Sequence, residues 1–199
     1  PVLWMQMETR DPRVRAPLTK AILELLEDQP PVVQRAVREQ AATAVRHVEE
    51  ATRVSWIPLG TQLEILRVLR DAVGTKGYED FCALHFSSTV DQPLIKGVFD
   101  TTVRLFGVGP GPVYRMFPKA WGMMTRGCGS VDMDGSPHPS GTHMVVSELP
   151  VEEPNIDLFV QGFGATFRGV LDLFKVTGEV ERGPFDAEAR IARYVVTWS

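Results

Sequence analysis

The stretch of sequence that decides the fold lies at residues 155–174 and reads NIDLFVQGFGATFRGVLDLF. Its apolar residues recur at steps of three and four, which is the spacing of one helix face. Asn155 is a favourable N-cap residue for this helix. Gly162, Gly164 and Gly169 interrupt the pattern, and each costs about 1 kcal/mol relative to alanine inside a helix. We expect a close approach of the helix to a sheet to offset that cost.

Segments with strand patterning flank this helix on both sides. Before it, residues 128–134 and 142–149 alternate in polarity and are separated by 135–141, a connection rich in Gly, Pro and Ser, so we expect a hairpin. After it, two further strands are predicted at 176–182 and 189–198. The C-terminal half therefore has the order strand, strand, helix, strand, strand, which predicts an antiparallel sheet.

The half of the chain before Gly107 is patterned as helices. The predicted helices cover 18–29, 31–53, 61–73, a short segment around Phe81 to His85, and 93–106. The helix at 93–106 is apolar on two faces, which is typical either of a central core position or of a helix shared between the core and an interface. We keep both interpretations open.

These patterns predict an α+β fold in which a helical N-terminal half packs on a C-terminal antiparallel sheet. We expect a single domain over residues 1–199, with a helical part at 1–106 and an α+β part at 107–199. A Gly- and Pro-rich hinge at 107–112 and a further amphipathic segment at 113–124 join the two parts.

Composition excludes several classes of function. The chain has 199 residues, a formal net charge of −4 and 44% hydrophobic residues. This mild acidity argues against nucleic acid as the main partner, because such binding depends on a basic excess. No apolar run is long enough for a membrane helix. Two distant cysteines, Cys82 and Cys128, favour reduced thiols in the cytoplasm.

Motifs of catalysis are absent from the sequence. There is no Gly-x-Ser-x-Gly, no phosphate-binding Gly-rich loop, no His-Glu-x-x-His and no Cys-x-x-Cys. The four histidines share no spacing, and the Cys82 and His85 pair on one predicted helix face is more typical of packing. We therefore expect no catalytic residue and no enzyme.

A possible metal cluster lies around the first predicted hairpin. It combines Cys128, Asp132, Asp134, His138 and His143. Only three of these residues are nitrogen or sulfur ligands, whereas structural zinc takes four such ligands. We interpret the histidines as exposed loop residues and expect no metal and no cofactor.

The predicted order of elements resembles one superfamily of sensor and interaction domains. Residues 167–174 are similar to its long helix, 178–183 to its penultimate strand and turn, and 189–198 to its closing strand. The superfamily unites haem nitric-oxide/oxygen-binding (H-NOX) domains, 4-vinyl-reductase-type small-molecule-binding domains and the TRAPP vesicle-tethering subunits. The resemblance implies the same fold for this chain.

The haem branch of this superfamily implies two motifs that the chain lacks. H-NOX domains hold haem iron through a histidine on the helix before the sheet, and residues 93–106 contain no histidine. They hold the propionates with Tyr-x-Ser-x-Arg, and none of Tyr78, Tyr114 or Tyr194 begins that pattern. His85 lies one predicted helix too early. The resemblance is therefore closest to haem-less bacterial members.

We expect a non-enzymatic ligand-binding or signalling domain that encloses a small apolar molecule between the helical half and the sheet and forms a homodimer. One alternative is a structural protein–protein interaction module with a solid core, and another is a haem-based gas sensor. The candidate pocket residues are apolar or aromatic side chains, with one threonine, on the helices that face the sheet. They are Phe99, Thr102, Phe106, Trp121, Met124, Phe163 and Phe167.

Overall fold

The structure is a computed structural model that describes residues 11–90, 92–135 and 140–199. The helices of the described residues are α1 (Ala16–Leu26), α2 (Pro31–Gln40), α3 (Ala42–Glu50), α4 (Leu59–Val90), α5 (Pro93–Phe106), α6 (Pro110–Met124) and α7 (Ile156–Leu173). The strands are β1 (Arg13–Arg15), β2 (Trp56–Pro58), β3 (Thr125–Arg126), β4 (Ser130–Met133), β5 (Gly141–Ser147), β6 (Gly178–Arg182) and β7 (Ala192–Trp198). This is the α+β fold that the sequence predicts.

A four-stranded antiparallel sheet has the strand order β4-β5-β7-β6. The predicted hairpin is confirmed, because Val131 on β4 pairs with Val146 on β5. The long C-terminal strand β7 lies in the centre, where Tyr194 pairs with Met144. Alternate residues of β5 and β7 are buried, so one face of the sheet packs against the helices and the other faces solvent.

A second sheet, which the sequence analysis does not predict, has three short antiparallel strands in the order β2-β1-β3. Val14 pairs with Ile57, and both are buried. The outward positions are occupied by arginine and tryptophan, and Arg15 and Arg126 each stack on the ring of Trp56 at 4.1 Å. Strands of two or three residues are too short to show alternation, so this pairing leaves no sequence signal.

Two helix boundaries differ from the predicted ones. The predicted helix at 31–53 is divided at Ala41, whose φ of −113° separates α2 from α3. The predicted end of the helix at 61–73 coincides with a kink at Gly74, which has φ +73° and interrupts the helical backbone of α4. The helix then continues to Val90, beyond the short segment predicted there.

The glycines of α7 allow a close approach, although mainly to a helix rather than to the predicted sheet. A Cβ atom added at Gly169 would lie 2.7 Å from the carbonyl oxygen of Ala83 on α4. One added at Gly162 would lie 3.2 Å from the hydroxyl of Tyr78, also on α4. Only Gly164 faces the sheet, at 3.5 Å from the ring of Tyr194. The long helices α4 and α7 therefore form the central contact of the fold.

A candidate apolar ligand cavity

A partly open cavity of about 140 Å³ lies where α1, α4, α6 and α7 meet. Its walls are mostly aliphatic and aromatic. Leu18 and Ile22 belong to α1, Leu66 and Phe86 to α4, and Met116 to α6. Because ligand sites are usually concave, apolar and supplied with few polar groups, this cavity is the candidate functional site.

Stacked aromatic rings form the wall where α6 meets α7. The ring of Trp121 lies 4.8 Å from that of Phe163 and 5.7 Å from that of Phe159. The indole Nε1 of Trp121 donates to the carbonyl oxygen of Gly129 at 3.1 Å, which sets the orientation of its ring. On the opposite side Phe86 stacks on Phe117 at 5.7 Å. This wall has aromatic faces that can contact an apolar molecule.

The structure brings together three of the seven candidate pocket residues. Trp121, Met124 and Phe163 line the cavity. Phe167 is fully buried, but it packs in the core against Phe117 and Tyr194 at ring distances of 5.2 and 5.1 Å.

The three candidates on α5 lie away from the cavity wall. Phe99 stacks on Phe174 at 6.3 Å. Thr102 is buried outside the wall, and Phe106 is 59% exposed. The helix α5 thus contributes Ile95 to the cavity and leaves its C-terminal end at the surface.

Sequence reasoning missed the polar side of the cavity, which lies on α4. Tyr78, Cys82, His85 and Thr89 all line the wall. They follow one another at steps of four, three and four, so they occupy one helical face. This polar stripe is the one sequence pattern that could have indicated the polar side of the cavity. By pattern alone it is also typical of a solvent-facing surface.

Most polar groups of this stripe are already hydrogen-bonded. The hydroxyl of Tyr78 donates to the carbonyl oxygen of Leu158 at 2.9 Å, which ties α4 to α7. The hydroxyl of Thr89 donates to the carbonyl oxygen of His85 at 2.7 Å. The Nε2 atom of His85 lies 2.8 Å from the carbonyl oxygen of Leu18 on α1. These bonds satisfy groups that would otherwise be costly to bury.

The titratable groups of the wall are uncharged at neutral pH. Burial raises the pKa of the Cys82 thiol to about 12 and raises the pKa of Tyr78 well above its usual value. Burial also lowers the pKa of His85, although its bond to Leu18 acts in the opposite direction. A thiol with so high a pKa is not a nucleophile, because the thiolate is the reactive form.

The cysteine and histidines near the hairpin do not form a metal site within the described residues. The Sγ atom of Cys128 is buried against the carbonyl oxygens of Arg13 at 3.3 Å and Arg126 at 3.4 Å. His143 is exposed on β5, and His138 lies outside the described residues. Cys128 therefore joins β1 to the end of β3 and has a packing role.

No helix of the described residues combines the length and the apolar character needed to cross a membrane.

The fold is H-NOX-like. An Fe(II) unliganded H-NOX protein variant from K. algicida superposes with a TM-score of 0.64 at 9% identity, over 93% of this chain and 96% of that one. A variant of T. Tengcongensis H-NOX superposes with a TM-score of 0.63 at 12% identity, and the match covers 93% of this chain and 97% of that one. An oxygen-binding H-NOX domain related to soluble guanylate cyclases superposes with a TM-score of 0.61 at 13% identity, and the match covers 93% of this chain and 95% of that one.

Neither a protein-family model nor a curated protein matches the sequence. At such low identities, the structural likeness establishes the fold and leaves the function to the residues of the site.

The described residues of the cavity do not fit a haem. A volume of about 140 Å³ is below the roughly 300–1,000 Å³ of sites for drug-sized ligands, and a haem is large for that class. No arginine or lysine among the described residues lines the wall to pair with propionates. The rings of Trp121, Phe159 and Phe163 pack on one another at centroid distances of 4.8 to 5.7 Å, so they would have to separate for a haem to enter between them. The haem-sensor hypothesis thus has the support of the fold but not of the cavity.

Proposed function

We propose that this protein is a non-enzymatic ligand-binding sensor domain whose ligand is a small apolar molecule held in the cavity between α1, α4, α6 and α7. The observation that carries the proposal is the cavity itself. Protein interiors are close-packed, and residual cavity volume destabilises by about 24 cal/mol per Å³. An apolar ligand that fills this space of about 140 Å³ would therefore add packing contacts and stabilise the folded state.

The size of the cavity limits the ligand. A cavity of roughly 150 Å³ lined by Leu, Ile and Phe binds benzene or xenon. The present volume of about 140 Å³ is comparable. The proposed ligand is therefore about the size of a benzene ring, and its binding depends on apolar and aromatic contact.

The chemistry of the wall supports binding rather than catalysis. General acid–base catalysis needs a titratable group poised near the working pH and aimed at the reacting atom. The raised pKa values of Cys82 and Tyr78 keep both groups protonated, and no carboxylate among the described residues lines the wall to orient His85 as a general base. Both cysteines of the chain are free and buried, which supports the predicted cytoplasmic location.

Benzene and 4-fluorotoluene test the proposal in solution. We expect the ¹⁹F resonance of 4-fluorotoluene to broaden when the protein is added. We also expect saturating 4-fluorotoluene to raise the protein's free energy of unfolding, since a ligand that binds only the folded state stabilises that state. Ala120→Leu fills the cavity from α6 and should abolish both effects. Ala72→Leu, the same change at an exposed site of α4, should preserve them. Absence of binding by the wild type, or binding that Ala120→Leu leaves intact, would refute the proposal.

The homodimer that the sequence predicts is part of the proposal, and the surface at the end of α5 supports it. Leu105, Phe106 and Val108 are 64%, 59% and 80% exposed. Adjacent large apolar residues at a surface are typical of interaction sites. We expect sedimentation velocity to show a dimer that Leu105→Glu dissociates and that Val32→Glu, on exposed α2, does not. A wild-type monomer would remove this part and leave the ligand proposal standing.

A further inference from the structure

His85 has one nitrogen that the protein does not use. Its Nε2 lies 2.8 Å from the carbonyl oxygen of Leu18, and a carbonyl oxygen can only accept a hydrogen bond. In the neutral ring Nε2 therefore carries the proton, and Nδ1 is an acceptor. No hydrogen bond to Nδ1 is found among the residues that the structure describes. The ring forms part of the cavity wall.

The surroundings of His85 keep the ring neutral. No charged side chain of the described residues lines the cavity from α1, α4, α6 or α7. The other titratable groups there are Tyr78 and Cys82, on the same helix, and burial raises the pKa of both. Burial lowers the pKa of His85 itself. The acceptor at Nδ1 therefore persists at neutral pH.

The other polar groups of the wall are weaker acceptors or already accept a hydrogen bond. Gln62 Oε1 already accepts from the hydroxyl of Thr19 at 3.0 Å. The hydroxyls of Tyr78 and Thr89 donate to carbonyl oxygens at 2.9 and 2.7 Å, and their oxygen lone pairs stay able to accept but are weaker acceptors than an imidazole nitrogen. The hydroxyl of Thr166 is a further alternative acceptor in the wall, so it needs its own control. Imidazole nitrogen is the strongest neutral acceptor in this set.

We propose that the cavity selects a small aromatic molecule that bears a single hydrogen-bond donor, and that the donor binds Nδ1 of His85. This inference rests on the proposed function, because it assumes that the cavity is occupied. The aromatic rings of Trp121 and Phe163 contact the apolar body of the ligand, and His85 distinguishes it from a molecule of the same shape without a donor. His85 is thus a specificity residue.

Pyrrole and thiophene test the selection, since both are five-membered aromatic rings and only pyrrole has an N–H donor. Saturation-transfer NMR gives the Kd of each for the wild type and for His85→Phe. We expect the variant to weaken pyrrole binding about tenfold relative to thiophene, the equivalent of about 1.4 kcal/mol. Thr166→Val, which keeps the shape of its side chain, should leave the ratio unchanged.

Each outcome separates the two proposals. An unchanged pyrrole to thiophene ratio in His85→Phe overturns the role of His85, and so does a loss of the ratio in Thr166→Val alone. If thiophene and benzene bind and pyrrole does not, the selection fails while the proposed function stands. If none of the three molecules binds, the proposed function itself fails.

A second readout requires no substitution. In the ¹⁵N-labelled wild type, we expect the resonance of unprotonated Nδ1 of His85 to shift on addition of pyrrole, because that nitrogen accepts a hydrogen bond. Thiophene at the same occupancy should leave it unchanged. Equal shifts with both molecules, or a shift confined to Nε2, would contradict the assignment even if His85→Phe fails to fold.

Discussion

Gly169 on α7 is the position where a single methyl group should separate the two central helices. An added Cβ would lie 2.7 Å from the carbonyl oxygen of Ala83 and 3.2 Å from its Cα. Both atoms belong to the backbone of α4, so no side chain can rotate away to make room. Overpacking of this kind costs about 1–3 kcal/mol. It opposes the gain of about 1 kcal/mol that alanine brings to a helix interior.

We expect Gly169→Ala to lower the free energy of unfolding by up to about 2 kcal/mol, since the backbone contact outweighs the helix propensity. Gly164→Ala is the matched control on the same helix. Its Cβ would meet the ring of Tyr194 at 3.5 Å, which is an ordinary contact. Gly164→Ala should therefore be neutral or stabilising by up to about 1 kcal/mol.

Urea denaturation followed by far-UV circular dichroism measures both variants, provided that the slope with denaturant stays constant. Because both variants gain the same helix propensity, we expect a difference of about 1–3 kcal/mol between them, with Gly169→Ala the less stable. Equal stabilities, or a Gly169→Ala protein more stable than wild type, would show that α4 and α7 do not approach each other as closely as described.

Three further predictions concern the buried polar groups. The free energy of unfolding should fall as the pH drops below about 6.5. The reason is that unfolded histidine binds a proton there, while the lowered pKa keeps folded His85 neutral. In urea titrations at several pH values, His85→Phe should reduce this loss. Cys82 and Cys128 should react with a thiol reagent only after denaturation, since burial raises the pKa of each to about 12; fast native labelling of either would contradict this. Tyr114→Phe should cost about 1 kcal/mol in thermal melts, because its hydroxyl donates to the carbonyl oxygen of Phe167 at 2.7 Å, and an unchanged melting temperature would argue against that bond.

Local patterns were sufficient to predict much of the fold. The apolar spacing of 155–174 predicts α7, and the alternation at 142–149 predicts β5. A helix break at Gly74 follows from the glycine itself, whose positive φ other residues rarely adopt. These features depend on residues within a few positions of one another, so the sequence carries them directly.

The candidate site was predicted only in part. Trp121, Met124 and Phe163 line the cavity, but so do His85 and Cys82, which the sequence analysis assigned to packing. A polar stripe on α4 has the same spacing whether it faces solvent or a cavity. Its environment is decided by the contact with α7, eighty residues further along in the case of Tyr78 and Leu158.

The sequence by itself determined most of the helices, the four-stranded antiparallel sheet around α7, and an acidic composition that argues against nucleic acid as the main partner. Only the tertiary structure decided that a cavity of about 140 Å³ remains between α1, α4, α6 and α7, and that His85 lies in its wall. The physical reason is that a cavity is the space that distant packed surfaces fail to fill. That space depends on how the helices cross and how closely glycines such as Gly169 allow them to approach, and no local pattern records it.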